Sequence, residues 1–317
     1  MMKSGFKFMS LVLTMILAAS LVTGCTPKQY PSRSITMVIP VAPGGDTDVN
    51  GRILAKSLES ELGVSVQVTN VDGSSGSIGT RQVKSSKPDG YNVLFFHDAT
   101  ILSTMRGLLD FDIEDMTIVG IPIIDKTAVM VANANKFKNF DEMRAKAEAG
   151  ETITVSMAAG SLAQLAPVSI ERETGMTFKY VDSTSAAERV TDLLAGRIDM
   201  FFTQYGVVEQ YVKSGDFAIM GLLSEDRNPA FDQVPTFKEQ GVDVVTDKMF
   251  YFAFPPKTPQ NVVDTFSEAL KKASKNSQMA DDFAKYYLEP TYMTQSESIE
   301  YIKAKKEFYA QFKDILK

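Results

Sequence analysis

Two glycine-rich turns near the start of the chain carry the residue types best suited to bind a small ligand. In the first turn, Gly44 and Gly45 follow the apolar run of residues 35–41, which predicts a buried parallel strand, and a helical pattern capped by Asp46 or Thr47 begins directly afterwards. Glycines let the backbone turn tightly, while free N–H groups and the positive end of a helix dipole favour an anion. The first turn is therefore predicted to hold an anion.

The second turn follows the next predicted strand, residues 64–70. Gly73, Gly76 and Gly79 are spaced by three, with serines between them, and a short helical pattern begins there. Adjacent strands of an open α/β sheet end at one crevice, so both turns would face the same site. The alternative is that both are merely tight strand-to-helix turns. Neither turn has the spacing of a nucleotide-binding loop, which argues against phosphate chemistry.

The third predicted strand, residues 92–96, ends in His97 and Asp98 at the same edge. A lone histidine is usually structural, but this position makes both residues candidate ligand contacts. The enzymatic alternative is a secreted hydrolase with His97 as base, Asp98 or Asp46 as its partner and a loop serine as nucleophile. Because the chain has one histidine and no G-x-S-x-G elbow, the sequence favours a protein that is not an enzyme.

The elements that must position these residues form an α/β pattern, and 317 residues are enough for two domains. Strands and helices alternate through the first half. A second α/β pattern runs from a strand at 127–132 to a strand at 198–203, and its turns are again small and rich in hydroxyl groups. After an aromatic extended segment at 249–255, the remaining sequence is helical in pattern.

The first 25 residues have the pattern of an export signal. Lys3 and Lys7 precede an apolar segment at 11–21, and Val-Thr-Gly before Cys25 resembles a lipoprotein leader, so residues 1–24 are predicted to be cleaved and Cys25 lipidated. The alternatives are an uncleaved anchor or a buried thiol. Residues 25–30 would form a tether, which makes the protein extracytoplasmic and anchored to the cell membrane by lipid.

Charge and cysteine content exclude several other classes of protein. The net charge is −6, and loss of the two leader lysines would take it to −8, which argues against nucleic acid as a partner. The chain has one cysteine and one histidine, so no cluster of the usual zinc or thiolate spacing exists, which argues against a soft-metal site. We expect no metal and no cofactor.

Five segments resemble, in order and spacing, the extracytoplasmic receptors of tripartite tricarboxylate transporters, often called the Bug family. They are YPSRSITMVIPVAPGGDTDVNGR, VTNVDGSSGSIGT, KPDGYNVLF, LLAGRIDMFF and VPTFKEQG. The resemblance implies an α/β fold of the two-lobed periplasmic binding protein type (type II-like), with the ligand cleft between the lobes. The chain would cross between lobes near Asp125 and Phe250. Residues 31–124 plus 253–317 would form the first lobe and residues 125–252 the second.

The resemblance also implies the ligand contacts, since members of this family hold a small carboxylate or related polar solute largely through backbone amides and water. The implied contacts are Gly44, Gly45, Thr47, Gly76, Ser77 and Gly79 in the first lobe and Ser156, Gly160, Ser161 and Ser183 in the second. Asp48, Arg52 and Asp199 match family motifs and are predicted to be structural.

Three residues depart from the family pattern. Gln164 stands where a histidine is frequent and Asp72 where a proline is frequent, while Asp46 places an acid inside the first turn. If Asp46 caps the helix and points away, the turn can accept a plain carboxylate; if it faces the crevice, it suits a solute with an ammonium or hydroxyl group. The expected partners are a small organic acid or amino acid and membrane transporter subunits. A receptor for another transporter or sensor remains an alternative.

Overall fold

Two five-stranded sheets, each flanked by helices, form the two lobes of the protein. The computed structural model describes residues 29–183 and 185–315. The predicted leader, residues 1–24, and Cys25 lie outside the described residues.

The first sheet has the strand order β2-β1-β3-β10-β4. Its strands are β1 (Ile35–Ile39), β2 (Val66–Asn70), β3 (Asn92–His97), β4 (Thr117–Asp125) and β10 (Lys248–Phe254). Strands β1, β2 and β3 are parallel, whereas β10 is antiparallel to both β3 and β4. The carboxyl ends of β1, β2 and β3 therefore lie at one edge, as the two glycine-rich turns require.

The second sheet has the strand order β7-β6-β8-β5-β9. Its strands are β5 (Ala128–Asn133), β6 (Ile153–Met157), β7 (Phe178–Asp182), β8 (Met200–Gln204) and β9 (Phe217–Leu222). Strand β6 is parallel to β7 and β8, and β5 is antiparallel to β8 and β9. The two sheets thus share one plan, with three parallel strands followed by two strands that involve antiparallel pairing.

Helices connect the strands and cover both sheets. In the first lobe they are α1 (Asp46–Leu62), α2 (Ser77–Lys84), α3 (Ala99–Met105), α8 (Gln260–Ala273), α9 (Ser277–Ala284) and α10 (Gln295–Ala310). In the second lobe they are α4 (Phe140–Glu148), α5 (Leu162–Thr174), α6 (Ala186–Leu194) and α7 (Tyr205–Ser214). Within the described residues, no helix combines the length and the apolar character needed to cross a membrane.

The chain passes between the sheets at two places. The first passage lies between the end of β4 at Asp125 and the start of β5 at Ala128, next to the position expected. The return strand β10 begins at Lys248, so residues 248–252 lie in the first sheet and not in the second lobe as expected. The reason is that the whole aromatic strand is buried and pairs on one side with β3 and on the other with β4.

Some elements were not foreseen from the sequence. Strand β4 was part of a longer apolar run that obscured its start, and helix α7 and strand β9 were not predicted. Helix α5 has the predicted bounds. The short helices and strands of the second lobe were harder to separate because their apolar periodicity extends over few residues.

Candidate solute-binding cleft

A cavity of about 160 Å³ lies between the two lobes and is the candidate binding site. Gly44 and Asp46 line it from the first lobe, Gln204 and Gly206 from the second, and Asp125 from the first passage between the sheets. A larger cavity of about 450 Å³ lies elsewhere, against residues 150–152 and 174–179 of the second lobe. That cavity adjoins the starts of β6 and β7, far from the strand ends that face the first lobe, so we assign the site to the smaller one.

The first glycine-rich turn presents an uncapped helix end. Gly45 is the N-cap of α1, and no side chain caps the helix, so the predicted capping by Asp46 or Thr47 is wrong. Asp48 reaches back instead, and its Oδ2 accepts a hydrogen bond of 2.9 Å from the Gly44 N–H. Gly44 has a φ of +88°, and both glycines are exposed. The positive end of α1 is therefore open to a ligand.

A polar network behind this turn fixes its shape. The Arg52 Nε donates to Asp48 Oδ2 at 3.0 Å, and the Asn70 Nδ2 donates to Asp48 Oδ1 at 2.9 Å. Burial works against the charge of Asp48, but the hydrogen bonds from Arg52, Gly44 and Asn70 hold the pKa of that carboxyl below its usual range. These contacts tie α1 to the end of β2, consistent with the structural role predicted for Asp48 and Arg52.

Asp46 forms an ion pair with Lys248 at the start of β10, with 2.5 Å between Oδ2 and Nζ. The Lys248 side chain is 10% exposed and that of Asp46 is 28% exposed. Burial favours the neutral carboxyl, but the charge of Lys248 and its hydrogen bond outweigh this effect and lower the pKa of Asp46. Asp46 thus neither caps the helix nor stands as a free acid in the cleft. It is the carboxylate of a neutral pair that links the first turn to the return strand.

His97 lies at the end of β3 and is held neutral. Its Nδ1 accepts a hydrogen bond of 3.2 Å from the Ala99 N–H, and its ring packs against Phe96 and Phe250. Burial and the positive charge of Lys248 lower the pKa of His97 well below its ordinary value. Because Nδ1 is an acceptor, the neutral ring carries its proton on Nε2. Within the described chain no serine hydroxyl and no carboxylate hydrogen-bonds to His97, so the hydrolase triad is not assembled.

Asp98 has a different position from the one expected. It is fully buried, and its Oδ2 accepts a hydrogen bond of 3.3 Å from the Met249 N–H. Burial raises the pKa of Asp98 to about 7, with a further rise from Asp247 and an opposing effect from Lys305. Strand β10 and helix α10 cover this carboxyl, so it belongs to the interior of the first lobe and not to the cleft surface.

The second glycine-rich turn is closely packed. Gly76 has a φ of +84°, and a Cβ there would lie 2.2 Å from Cζ of Phe96. A Cβ on Gly79 would lie 2.7 Å from Cβ of Pro40 and 2.9 Å from the Val71 carbonyl oxygen, so this glycine lets α2 approach the end of β1. Ser77, the first residue of α2, is buried, and its Oγ has no partner among the described residues.

In and next to the loop after β6 in the second lobe, several polar groups form hydrogen bonds with one another. The Gly160 N–H donates to Oε1 of Gln164 at 2.6 Å. Ser161 caps α5, since its Oγ accepts from the Ala163 N–H at 3.2 Å and donates to the Ala158 carbonyl at 2.7 Å. Gln164, which departs from the family pattern, therefore has a local structural partner. Asp199 is also structural, because its Oδ2 accepts from the Thr154 N–H at 2.8 Å.

Arg106 reaches across the cleft to this loop. A Cβ on Gly160, which has a φ of +69°, would lie 2.3 Å from Cδ and Nε of Arg106. The glycine thus makes room for an arginine of the opposite lobe. In the described part of the chain Arg106 has no acidic partner. Sequence reasoning missed it because it follows a short helix with no motif around it.

The second lobe also holds polar groups that are buried without partners. They are Oγ of Ser156, Oγ of Ser183, Oγ1 of Thr203 and Nε of Arg189. The two serines were expected in the site, whereas Thr203, Arg189 and Lys248 were missed. An arginine near the start of an amphipathic helix and a lysine at the start of an aromatic strand look like ordinary surface residues in sequence.

Comparisons with known proteins agree with this geometry. The family model described as "Tripartite tricarboxylate transporter family receptor" matches residues 51–316. Protein BugT of Bordetella pertussis is 29% identical over 286 residues, covering 88% of this chain and 87% of BugT. The crystal structure of a TctC solute-binding protein from Polaromonas, solved with no ligand, has 27% identity and a TM-score of 0.74, covering 90% of this chain and 99% of that protein.

A more distant likeness concerns the fold alone. The R. palustris protein Rpa4515, solved with adipate, has a TM-score of 0.82 at 20% identity and covers 90% of this chain and 98% of its own. The resemblance noted from the sequence and the two-lobed α/β fold are both confirmed. The chain belongs to the tripartite tricarboxylate transporter receptor family and is an extracytoplasmic solute-binding receptor, not an enzyme.

Proposed function

We propose that the protein captures a small organic acid in the cleft between its lobes and delivers it to a tripartite tricarboxylate-type transporter in the membrane. The observation that carries this proposal is the open N-terminus of α1 at Gly45, which adjoins the cavity between the lobes. The acid in the same turn, Asp46, is already neutralised by Lys248. A carboxylate can therefore approach the helix end without facing an unpaired negative charge.

The ion pair of Asp46 and Lys248 also bears on which class of solute the cleft would bind. A free Asp46 would suit an ammonium group, but an Asp46 engaged by Lys248 at 2.5 Å has less capacity for a second cation. We therefore favour plain carboxylic acids over amino acids as solutes. The adipate bound by the structural neighbour Rpa4515 supports this choice by analogy.

Solute binding would favour closure of the lobes. The cavity is lined from both lobes and from the first passage between the sheets, so a solute touches both lobes only when they are close. A ligand shifts such an equilibrium by the difference between its affinities for the closed and open forms. The two passages, between Asp125 and Ala128 and before Lys248, are where the backbone would bend.

Attachment to the membrane is the second part of the proposal. The leader pattern before Cys25 supports lipidation of that cysteine, with residues 26–30 as a short tether. A lipidated receptor stays near its transporter. Replacing Cys25 by serine should move the protein from the membrane fraction to the soluble fraction of cells; unchanged membrane association would contradict lipidation at Cys25.

The function is tested by titrating the purified protein with a panel of mono-, di- and tricarboxylates and acidic amino acids. Isothermal titration calorimetry and thermal unfolding would measure binding. We expect one-to-one binding of at least one carboxylic acid and a higher unfolding temperature in its presence. If none of the acids binds while a solute without a carboxylate does, the proposed solute class is wrong.

A further inference from the structure

One side chain of the first lobe, Tyr287, packs into the second lobe. It follows α9, and its ring centroid lies 5.1 Å from that of Tyr205 and 5.3 Å from that of Phe231, edge to face in both pairs. Tyr205 begins α7, Phe231 lies in the loop after β9, and these two rings stack at 4.0 Å. The ring of Tyr287 is thus held by an aromatic cluster that the opposite lobe builds.

The hydroxyl group of Tyr287 forms a second contact with the same lobe. It donates a hydrogen bond to Oε1 of Glu209 on α7, and Lys213, one helical turn further on, pairs with the same carboxylate. The hydrogen bonds from Lys213 and Tyr287 lower the pKa of Glu209, so its carboxylate is ionised at neutral pH. Burial and Glu209 raise the pKa of Tyr287 to about 12, so the phenol keeps its proton. A hydrogen bond to an ionised acceptor is stronger than one between neutral groups.

The backbone on both sides of Tyr287 belongs to the first lobe. Phe283 and Leu288 are buried in an apolar cluster of that lobe, and the Leu288 N–H donates to the Phe283 carbonyl at 3.1 Å. Further along, the Met293 N–H donates to the Ile121 carbonyl of β4 at 3.1 Å. Tyr287 itself has a φ of +62°, which is rare for a bulky residue. Its backbone is therefore fixed in one lobe while its ring and hydroxyl are bound by the other.

The contact spans the same space as the cavity between the lobes. Gly206 and Val207 line this cavity from the second lobe, and Tyr286 and Leu288 line it from the first. Val207 is 38% exposed and Tyr286 43%, so the two surfaces beside the contact face each other across a gap and do not form one continuous core. Ring contacts and hydrogen bonds act over short distances, so a movement of the lobes by a few ångströms would break those of Tyr287.

We propose that Tyr287 is a clasp between the lobes, bound to Tyr205, Phe231 and Glu209 when the lobes are closed and released from them when the lobes open. An interaction made in only one of two conformations shifts their equilibrium towards that conformation. Tyr287 therefore raises the affinity for a solute that it does not touch, because less of the binding free energy is used to close the lobes. This effect on affinity rests on the proposed function, whereas the clasp itself does not.

The alternative is that Tyr287 is permanent packing beside the hinge. A contact that persisted on opening would stabilise both arrangements equally and would leave their equilibrium unchanged. The division of its surroundings favours the clasp. Phe283 and Leu288 are buried within the first lobe, and Tyr205 and Phe231 stack on each other within the second, so each lobe packs these side chains without the Tyr287 ring.

The test compares the purified full chain with its Tyr287→Ala variant. Alanine keeps the Cβ, so the backbone strain is unchanged and only the ring and the hydroxyl are lost. Small-angle X-ray scattering without added solute should give a larger radius of gyration for the variant, because its lobes open more often. Calorimetric titration with the acid that wild type binds most tightly should give an affinity about threefold to thirtyfold lower.

Two conservative substitutions accompany this variant. Tyr287→Phe keeps the ring and removes the hydrogen bond to Glu209, so it should lower the affinity about threefold to tenfold and provides the measurement if Tyr287→Ala folds poorly. Tyr180→Phe is the matched control. It removes a tyrosine–glutamate hydrogen bond of 2.7 Å, from Tyr180 to Glu171, that lies within the second lobe, and both measurements should stay at their wild-type values.

The outcomes separate the clasp from the receptor function. A shift of either measurement in the expected direction that Tyr180→Phe does not show supports the clasp. The clasp is wrong if folded Tyr287 variants keep the radius of gyration and the affinity of wild type, or if they bind the solute more tightly. The scattering measurement needs no solute, so it decides about the clasp even if wild type binds none of the acids and the proposed function fails.

Discussion

The two lobes share one strand plan, but the polar side chains at their cleft edges differ in whether they have partners within the protein. In the first lobe, Asp48 is bound by Arg52 and Asn70, and Asp46 is bound by Lys248. In the second lobe, the hydroxyls of Ser156, Ser183 and Thr203 and the Nε of Arg189 have no partner within the described residues. The acids of the first lobe's turn thus have side-chain partners within the protein, whereas these four groups of the second lobe have none among the described residues.

This difference indicates where affinity and selectivity arise. A turn fixed by its own hydrogen bonds loses little conformational entropy on binding, so we expect the first turn to contribute affinity through preorganisation. Unpaired buried groups select for a solute that satisfies them, because a solute that does not leaves them unpaired. We therefore expect relatives with different solutes to resemble one another more in the first turn than around α6. The first lobe also contains buried polar atoms without hydrogen-bond partners, among them Oγ of Ser77 and Nδ2 of Asn50.

The largest expected effect comes from disturbing the packed first lobe at Gly76. Gly76→Ala places a Cβ 2.2 Å from the Phe96 ring in a backbone with a φ of +84°, so both strain and overpacking arise. We expect a loss of about 3 to 5 kcal/mol in the free energy of unfolding. Urea denaturation of the variant and of wild type measures it.

Gly175→Ala in the second lobe is the control for that substitution. Gly175 has a φ of +73° at the end of α5, but nothing lies within 4 Å of its Cβ position. It should cost only about 1 kcal/mol, the backbone term alone. Equal losses in the two variants would show that the second turn is not held rigidly against Phe96, and the contrast between the lobes would weaken.

A smaller effect is expected from the buried carboxyl of Asp98, which lies inside the rigid lobe. Its folded pKa is about 7, whereas an aspartate in an unfolded chain titrates near pH 4. Between these values the unfolded chain binds fewer protons, so the contribution of Asp98 to stability is complete below about pH 4 and is lost as the pH rises through 7.

Asp98→Asn removes that titration. At pH 8 the variant should be more stable than wild type by about 2 to 4 kcal/mol, and the difference should shrink as the pH falls towards 4. Thermal and urea unfolding across this range provides the measurement. A variant that is less stable than wild type at pH 8 would mean that Lys305 keeps Asp98 ionised in the fold.

The smallest expected effects, about 1 kcal/mol each, concern the ion pair of Asp46 and Lys248. Lys248→Met leaves an unpaired acid beside the cavity and should weaken dicarboxylate binding, whereas Asp46→Asn leaves an unpaired ammonium and should strengthen it. The double variant should return close to wild type. Calorimetric titration of the three variants tests these signs, and a loss of affinity in Asp46→Asn would mean that the Asp46 carboxylate itself contacts the solute.

The sequence predicted more of the cleft edge of the first lobe than of the second lobe. Glycine turns at strand ends are local signals, so Gly44, Gly45 and Gly76 could be found from spacing alone. Asp48 and Arg52 are one helical turn apart, and a structural pairing was expected for them. The ion pair of Asp46 with Lys248 joins residues far apart in the chain, and no local pattern predicts such a contact.

In the second lobe, less of the cleft edge could be predicted from the sequence. Ser156 and Ser183 came from the family resemblance, but their unpaired state is a property of packing. Arg189 lies in a short amphipathic helix, and its burial depends on how closely α6 approaches the strand ends. Asp98 was misplaced for the same reason, since β10 and α10 cover it from residues that lie more than a hundred positions away.

The central claim is that a carboxylic acid binds against the first turn, between the lobes. Gly45→Val tests it most directly, because the Cβ position is open and the φ of −80° suits valine, so the free protein should stay folded and lose only about 1 kcal/mol of stability, since valine is a poorer N-cap than glycine. Calorimetric titration with the acid that binds wild type most tightly should give one-to-one binding for wild type and no detectable heat for the variant. Undiminished binding by a fully folded Gly45→Val protein would contradict the account.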